Sequence, residues 1–561
     1  MLWLPFHVTP KAMPIPSFHG EAAATALGLL ALSALLPFVG RLPLPRVTWL
    51  LFGFVLLLLL QILLGMAATH QHALLAALYL SWAAGLAVLA ALLKRELGLE
   101  RVATVLAWTL LAGALASATI GLAQVTESYD WLGRFIVVSS HGRVWANLAQ
   151  PNHLADYLSL GLVSIAYLYA SGRLRMPYAL AAGLLVSTIL SLTGSRAAGL
   201  YIGTLVGLSA AFFAFDRTPA NRRLALFTLF AMTAFGLITL TAPIPGAVTA
   251  IQRSGLQPGA ASEHAALWRA GWAMFREAPW LGQGFRQYAY QYFLMAPDLP
   301  QPRMGGFNDH AHNLVLHVMA EFGLLGLALL LAGILPWLAG LVRQPRTPAL
   351  WWVCGLTSVL ALHSLLEYPL WYAFFLGPAA LVLGLGESRA LELRGASARL
   401  GRARLALAAV LLLSWVALAQ VFLDYITIEN FAGLRYKYLH ATQELDRQAR
   451  QTLLEIHRTS LLSPWVALGL TRSINIAPER LADKLALNTA ALRVFPIDDV
   501  VYRQAMLLAL FGDQAGARRQ WDRAVAVFPQ DRAMALLVLQ RRVEDGLEGL
   551  RALLDYAQAG A

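Results

Sequence analysis

The stretch "NDHAHNLVLHVMAEFGLLGLALLLAGILPWLAGL", residues 308–341, decides the fold. From Asn313 onward it is an apolar run longer than the roughly 20 residues a helix needs to cross a bilayer. Only His317 and Glu321 interrupt that run with titratable groups. A soluble helix of this composition would have no polar face to turn to water. The stretch therefore reads as a membrane span. Its mouth carries Asn308, Asp309, His310, His312 and Asn313.

The rest of the chain agrees. It has 561 residues, 58% of them hydrophobic and 13% charged. A soluble domain carries about 25% charged residues. Further apolar segments lie near 22–40, 47–65, 73–93, 102–124, 154–171, 177–193, 197–215, 224–243, 349–366, 370–386 and 404–423. The expected fold is all-α, a polytopic membrane helical bundle of about twelve transmembrane helices. Residues 1–243 would form the N-terminal spans. Residues 244–312 would be a large periplasmic loop with an amphipathic helix, 313–423 the C-terminal spans, and 424–561 a soluble helical domain. No basic region precedes the first apolar run and many spans follow it, so no cleavable signal peptide is expected. The stretch "LWLPFHVTPKAMPIP", residues 2–16, is short and proline-rich for a span, which leaves the side of the N-terminus open.

The net charge of +12 comes from 39 Arg and 4 Lys against 31 acidic residues. Arg41, Arg46, Lys94, Arg95, Arg101, Arg173, Arg175, Arg217, Arg222, Arg223, Arg343 and Arg346 fall in alternate loops, and five more arginines lie at 389–404. Cationic loops stay in the cytoplasm. The other loops, 125–153, 244–312 and "LLEYPLW", are then extracytoplasmic, with everything after 424. The excess charge is topological, and no basic soluble face points to nucleic acid. The single Cys354 cannot form an internal disulfide or a thiolate metal cluster.

After residue 424 the chain becomes amphipathic. "AALRVFP" ends at Pro496 and "RAVAVFP" at Pro529, 33 residues apart. "YRQAMLLALFGDQAGARRQWDRA", residues 502–524, reads as helix, Gly-containing turn, helix. That period suits a tetratricopeptide-like array of helical hairpins. An ordinary helical domain with a chance period is the plainer alternative.

The chemistry-bearing residues gather on the extracytoplasmic side. "VWANLAQPNHLADY", residues 144–157, places Gln150, Asn152, His153 and Asp156 around Pro151. Capping at the start of a helix accounts for one such residue, and a substrate role would account for the rest. "LTGSRAAGL", residues 192–200, puts Arg196 between two spans with almost no loop. Such a cation either snorkels to the headgroups or meets an anion, and guanidinium pairs bidentately with phosphate.

"EHAALWRAGWAMFREAPWLGQGFRQYAY", residues 263–290, spaces Trp268, Trp272, Phe275 and Trp280 almost helically, with Arg269, Arg276 and Arg286 among them. An amphipathic surface helix with aromatic anchors is expected. Its Gly-x-Gly follows no strand, so it is no dinucleotide fingerprint.

In the opening stretch Asn308 or Asp309 would cap a helix starting near His310. His310, Asn313, His317 and Glu321 would then share one face, with His312 offset in the first turn. A helix N-terminus offers free N–H groups and a positive dipole end. It binds phosphate and disfavours a second positive charge, and a neutral imidazole is what a general base requires. His-x-His with carboxylates nearby could instead hold a divalent ion, but no familiar zinc spacing is present. A plain polar cap on the helix is the third reading. Glu367, with His363 four residues earlier, repeats the theme and suits structural pairing inside the bundle.

"HAHNLVLHVMAEFGLLGL", residues 310–327, resembles the His-Asn, apolar run, Glu-x-Gly signature of the O-antigen ligase and polymerase superfamily. "QPNHLADYL" and "HSLLEYPLWYAFFLGP", with the soluble C-terminal region, resemble its protein-glycosylating branch, the pilin-type O-oligosaccharyltransferases. The resemblance runs from about residue 15 onward. It implies an inner-membrane glycosyltransferase that moves an oligosaccharide from undecaprenyl diphosphate to Ser or Thr hydroxyls of a pilin-like or other periplasmic protein. It also implies His312, directly before the Asn, as the catalytic histidine. Ser195-Arg196 and Gln150 match family positions. Where the family has an arginine before the Trp of the loop helix, this chain reads Glu263-His264, and Arg269 is the candidate substitute.

On this reading Arg196 and one or more of Arg269, Arg276 and Arg286 hold the diphosphate. His310, Asn313, Gln150, His153 and Glu367 support them, with no metal or cofactor. An O-antigen ligase acting on lipid A-core, an O-antigen polymerase and a flippase for the lipid-linked sugar are the alternatives. A transporter usually shows internal repeats and broken helices, and neither is visible in the sequence.

Overall fold

Where the apolar runs end, proline, glycine and charge stop the helices. The computed structural model describes residues 1–128, 133, 135–138, 143–241, 260–299, 305–394, 397–437 and 443–559. Each of the twelve expected apolar segments lies on a helix. These are α1 (Phe18–Leu32), α2 (Arg46–Leu63), α3 (His70–Leu97), α4 (Leu99–Val125), α5 (Pro151–Ala170), α6 (Met176–Leu192), α7 (Ala197–Phe215), α8 (Pro219–Thr241), α11 (Leu314–Val342), α12 (Pro348–Leu366), α13 (Ala373–Gly386) and α14 (Ser397–Lys437). Between α8 and α11 stand α9 (Ala260–Glu277) and α10 (Tyr288–Met295). Among the described residues, nine helices are long and apolar enough to cross a membrane. The protein is an all-α, multi-pass membrane protein. Residues 242–259 and 300–304 of the expected periplasmic loop lie outside the described residues.

Contacts group the chain into two units. The first comprises Met1–Gly53, Tyr79–Pro258 and Leu330–Ala419. At its centre is α5, with all but two of its 20 residues buried. A helix covered by protein rather than lipid can carry hydroxyls if each finds an acceptor. Ser159 Oγ donates to the Ala155 carbonyl at 2.7 Å, and Ser164 Oγ to that of Leu160 at 3.0 Å. The N-terminal stretch does not span. Leu4–His7 is one 3₁₀ turn, and Phe6 stacks on Tyr157 with ring centroids 4.0 Å apart. Two of the cationic loops contain short strands. β1 (Arg41–Leu44) pairs antiparallel with β2 (Leu391–Arg394), Arg41 opposite Arg394.

The second unit comprises Phe54–Leu78, Gly259–Leu329 and Gln420–Ala561. Its C-terminal part runs through α15 (Gln443–Thr459), α16 (Ser463–Ser473), α17 (Leu481–Val494), α18 (Asp498–Phe511), α19 (Gln514–Val527), α20 (Arg532–Glu544) and α21 (Arg551–Ala559). The two Val-Phe-Pro copies occupy equivalent places. Phe495 closes α17 and Phe528 closes α19, and both rings are buried. Gly512 turns the chain between α18 and α19 with φ +97°, where a side chain would be strained. Phe293 and Ala296, from the loop region, pack into the same core as Val500, Met506, Trp521 and Phe528.

Candidate active site

The second unit contains the histidine-rich loop. Its helix begins four residues later than the spacing suggested. Asn313 Oδ1 accepts hydrogen bonds from the N–H groups of Val315 and Leu316, both at 3.1 Å, and so caps α11. His312, with φ +49°, is left-handed and cannot continue a right-handed helix backwards. Residues 308–312 are therefore a loop. His310 and Asn313 do not share a helical face with His317 and Glu321, and only the last two are related by helix spacing.

The loop nevertheless folds His310 back onto His317, the rings stacked at 5.1 Å and 26°. His310 Nδ1 lies 2.6 Å from Asp309 Oδ1. Arg286 Nη1 donates to Asp309 Oδ2 at 3.1 Å. His317 Nε2 is 3.4 Å from Glu321 Oε2. The Glu321 carboxylate accepts from the backbone N–H of Tyr288 at 3.2 Å and from that of Arg286. His310, His317 and Glu321 are buried. Burial is the main cause that lowers the His310 pKa to about 4, and the neighbouring His317 and Arg286 add to it. Asp309 is held well below the usual carboxylate range by His310 and Arg286, despite its burial. The imidazole is thus neutral at pH 7 and donates from Nδ1–H to an ionised carboxylate.

His312 stands outside this cluster and is half-buried. The ring of His264 meets it edge-on at 5.3 Å. His264 comes from α9, which is amphipathic as expected. Leu267, Ala270 and Met274 pack against Tyr288, Tyr292 and Ala311. Trp268, Trp272, Arg269 and Arg276 are exposed. Arg286 is half-buried and paired with Asp309.

The span that follows is broken. Gly323 has φ +62° and ψ −155° inside α11, a region open essentially to glycine alone. The backbone groups freed by the break are taken up by residues 279–284. Leu324 N–H donates to the Pro279 carbonyl at 2.7 Å and Leu325 N–H to that of Trp280 at 3.2 Å. Gln283 N–H donates to Ala320 O at 2.8 Å and Gly284 N–H to Glu321 O at 3.2 Å. This is the role of "PWLGQG": at Gly282, φ +71°, a Cβ would strike the Glu321 and Phe322 backbone. The broken helix that the sequence reading missed is therefore present, but its break is filled by protein backbone.

A third group serves the break, and sequence reading missed it. Gln61 on α2 is 1% exposed. Its Nε2 donates to the carbonyls of Leu281 at 3.0 Å and Glu321 at 2.8 Å, and its Oε1 accepts from Phe285 N–H at 2.9 Å. The available signal was a lone amide in the run "LFGFVLLLLLQILLG". Gln61→Leu strips the Leu281 carbonyl and the Phe285 N–H of the Gln61 amide, at about 1–3 kcal/mol each, and leaves the Glu321 carbonyl with Gly284 N–H alone. We expect a clearly lowered thermal midpoint in detergent, and an unchanged one would refute this role.

The first unit holds the other candidates. Gln150 is the cap of α5, its Oε1 accepting from His153 N–H at 2.6 Å. Asn152 Nδ2 donates to Glu367 Oε1 at 2.7 Å, and His363 Nδ1 lies 2.8 Å from Asp156 Oδ2. Asn152 and Asp156 are four apart on α5; His363, on the last turn of α12, is four residues before Glu367. The four make a two-rung ladder, and the lower rung is fully buried. The expectation of pairing inside the bundle thus holds for Glu367 and His363. His153 is packed among rings, 4.7 Å from Tyr372 and 5.3 Å from Phe375. His363→Leu would leave Asp156 buried without its partner, costing at least about 1–3 kcal/mol. A double-mutant cycle with Asp156→Asn checks it, and additive effects would contradict the coupling.

Arg196 sits in the turn between α6 and α7. It is exposed, with no side-chain hydrogen bond or ion pair among the described residues. Arg143, which sequence reading passed over, reaches the same turn, its Nε donating to the Thr193 carbonyl at 3.0 Å. A lone arginine in a loop gives no periodic signal.

Three family models match the chain. One described as protein glycosylation ligase matches residues 144–169, which hold Gln150, His153 and Asp156. One described as O-antigen ligase matches 180–331, which hold Arg196, the α9 arginines and the histidine-rich loop. One described as the C-terminal part of a virulence factor membrane-bound polymerase matches 351–541. Among curated proteins, a general O-oligosaccharyltransferase of Acinetobacter baylyi is 26% identical over 378 residues. That alignment covers 65% of this chain and 64% of the relative's own length, just under two thirds. These matches bear out the resemblance read from the motifs: the chain is similar to O-antigen ligases and protein glycosylation ligases over these segments.

Proposed function

We propose that this protein is a glycosyltransferase that transfers an oligosaccharide from undecaprenyl diphosphate to Ser or Thr hydroxyls of periplasmic or pilin-like proteins. The observation that carries the reading is His312. It is held by a left-handed backbone outside the buried His310–His317 stack, beside the arginine-bearing helix α9. In the reaction the bond from the anomeric carbon to the diphosphate oxygen breaks, and its electron pair leaves with the diphosphate. The acceptor oxygen bonds to that carbon from the opposite face, so the configuration inverts. His312 takes the hydroxyl proton. Exposed arginines stabilise the leaving charge as it grows. Arg196, Arg269 and Arg276 are the proposed ligands, each on the sequence reading. Arg286, paired with Asp309, has the weaker claim. No cofactor is invoked.

The site would face the periplasm from the bacterial inner membrane. The repeat-like helices of 443–559 would dock the acceptor. The test compares glycans on periplasmic proteins with and without the gene, alongside the cell's lipopolysaccharide. Loss of sugar from protein with intact lipopolysaccharide supports the reading. The reverse would identify an O-antigen ligase acting on lipid A-core, the second reading, which the match over 180–331 favours. Inhibition by EDTA that a divalent ion reverses would argue for a metal at the histidines instead.

A further inference from the structure

Five residues of the second unit close a circuit. Arg286 reaches Asp309 through its side chain. Asp309 reaches His310, whose ring stacks on His317, which reaches Glu321. The Glu321 carboxylate returns to the backbone N–H of Arg286. The circuit ties three stretches of chain, 286–288, 309–310 and the first half of α11, into one buried knot. It borders the two left-handed non-glycine residues of this region, Arg286 with φ +63° and His312 with φ +49°. Such a backbone persists only where its surroundings over-determine it. On the N-terminal side of His312, Ala311 is fully buried and its N–H points to His317 Nδ1 at 3.4 Å. On the C-terminal side Asn313 caps the helix. The backbone of His312 is thus held on both sides by its neighbours' anchorage.

We infer that the Arg286–Asp309–His310–His317–Glu321 circuit positions His312, with Asp309 and His310 as positioning residues that touch no substrate. The inference rests on the reading of His312 as the base. The hydrogen-bond pattern also fixes the tautomers. His310 donates from Nδ1–H. His317 accepts at Nδ1, which puts its proton on Nε2, 3.4 Å from Glu321 Oε2. A misplacement of the base by about 1 Å costs on the order of 10²-fold in rate while leaving donor binding in place.

The amide contrast at His310 tests this. In His310→Asn the side-chain NH₂ falls where Nδ1–H was and can still donate to Asp309. In His310→Gln it falls near Nε2 and cannot. With purified full-length enzyme in detergent and a lipid-linked oligosaccharide donor, we expect His310→Asn to keep kcat within about threefold. His310→Gln and Asp309→Asn should lose about 10²-fold, each with donor KM within about threefold of wild type. A merely structural knot would lower the thermal midpoint of the Gln variant yet leave kcat per folded molecule at the wild-type value, and that result overturns the inference. So do equal kcat values for the Asn and Gln variants, or losses confined to KM. His312→Ala run in parallel separates the two levels. If it is inactive while Asp309→Asn and His310→Gln turn over normally, only the circuit fails. If His312→Ala turns over normally, the base reading itself fails.

Discussion

His312→Ala is expected to lower kcat for transfer by about 10²–10⁴-fold, the range a positioned general base contributes, and to leave donor KM nearly unchanged. In the proposed reaction the proton leaves the acceptor hydroxyl as the new bond forms, so the imidazole would act on the transition state rather than on the bound donor. The donor is proposed to be held by arginines, which this substitution does not touch. His312 lies outside the buried cluster, so the variant should fold and melt like the parent. His310→Gln should fall between the parent and His312→Ala, since it displaces the base without removing it, while His310→Asn stays near the parent. Single-turnover assays with purified lipid-linked donor check the prediction, and wild-type turnover in a folded His312→Ala protein would sink it.

Gly323→Ala should prevent accumulation of folded protein. The conformation at Gly323 costs a non-glycine residue about 1–3 kcal/mol by itself. The added Cβ would also run into the backbone of Trp280 and Gly282, which cannot swing aside as a flexible side chain would. Relief would have to separate residues 279–284 from α11. The α11 groups could re-pair with one another along the helix, but the Pro279 and Trp280 carbonyls and the Gln283 and Gly284 N–H groups would lose these partners, each worth about 1–3 kcal/mol when buried. Membrane-fraction yield and protease resistance read the outcome. A stable Gly323→Ala protein would mean that the break is not needed. Gly282→Ala meets the mirror-image obstruction and should behave alike.

Much of the fold was legible because hydropathy reports burial in lipid directly. All twelve apolar segments fall on helices. The loop around His312 was legible in content but not in shape. Asn308, Asp309 and Asn313 are equally good caps by residue type. The spacings of three and four between His310, Asn313, His317 and Glu321 imitated a helix face. What decided between them was a left-handed backbone at His312, which composition does not encode. The break at Gly323 escaped for a related reason. A helix with one non-helical residue keeps its apolar pattern on both sides, and its partner lies some 40 residues earlier in "PWLGQG". The ladder of Asn152, Asp156, His363 and Glu367 could have been read. Two i, i+4 polar pairs in otherwise apolar helices are what antiparallel neighbours need to satisfy each other. Gln61 was legible only as an anomaly, because its three partners are main-chain groups of distant segments.

The break at Gly323 also bears on how the protein is made. Its N-terminal piece, residues 314–322, is only about 14 Å long at 1.5 Å per residue, under half the roughly 30 Å of a bilayer core. The piece after it, 324–342, is about 28 Å long and can cross unaided. A translocon sorting nascent helices by apolar length would therefore seat the second piece first. The nine residues with His317 and Glu321 would dock only later, against residues 279–284. Assembly of the proposed catalytic loop is then a post-insertion event, so a variant that inserts with correct topology can still lack an assembled site.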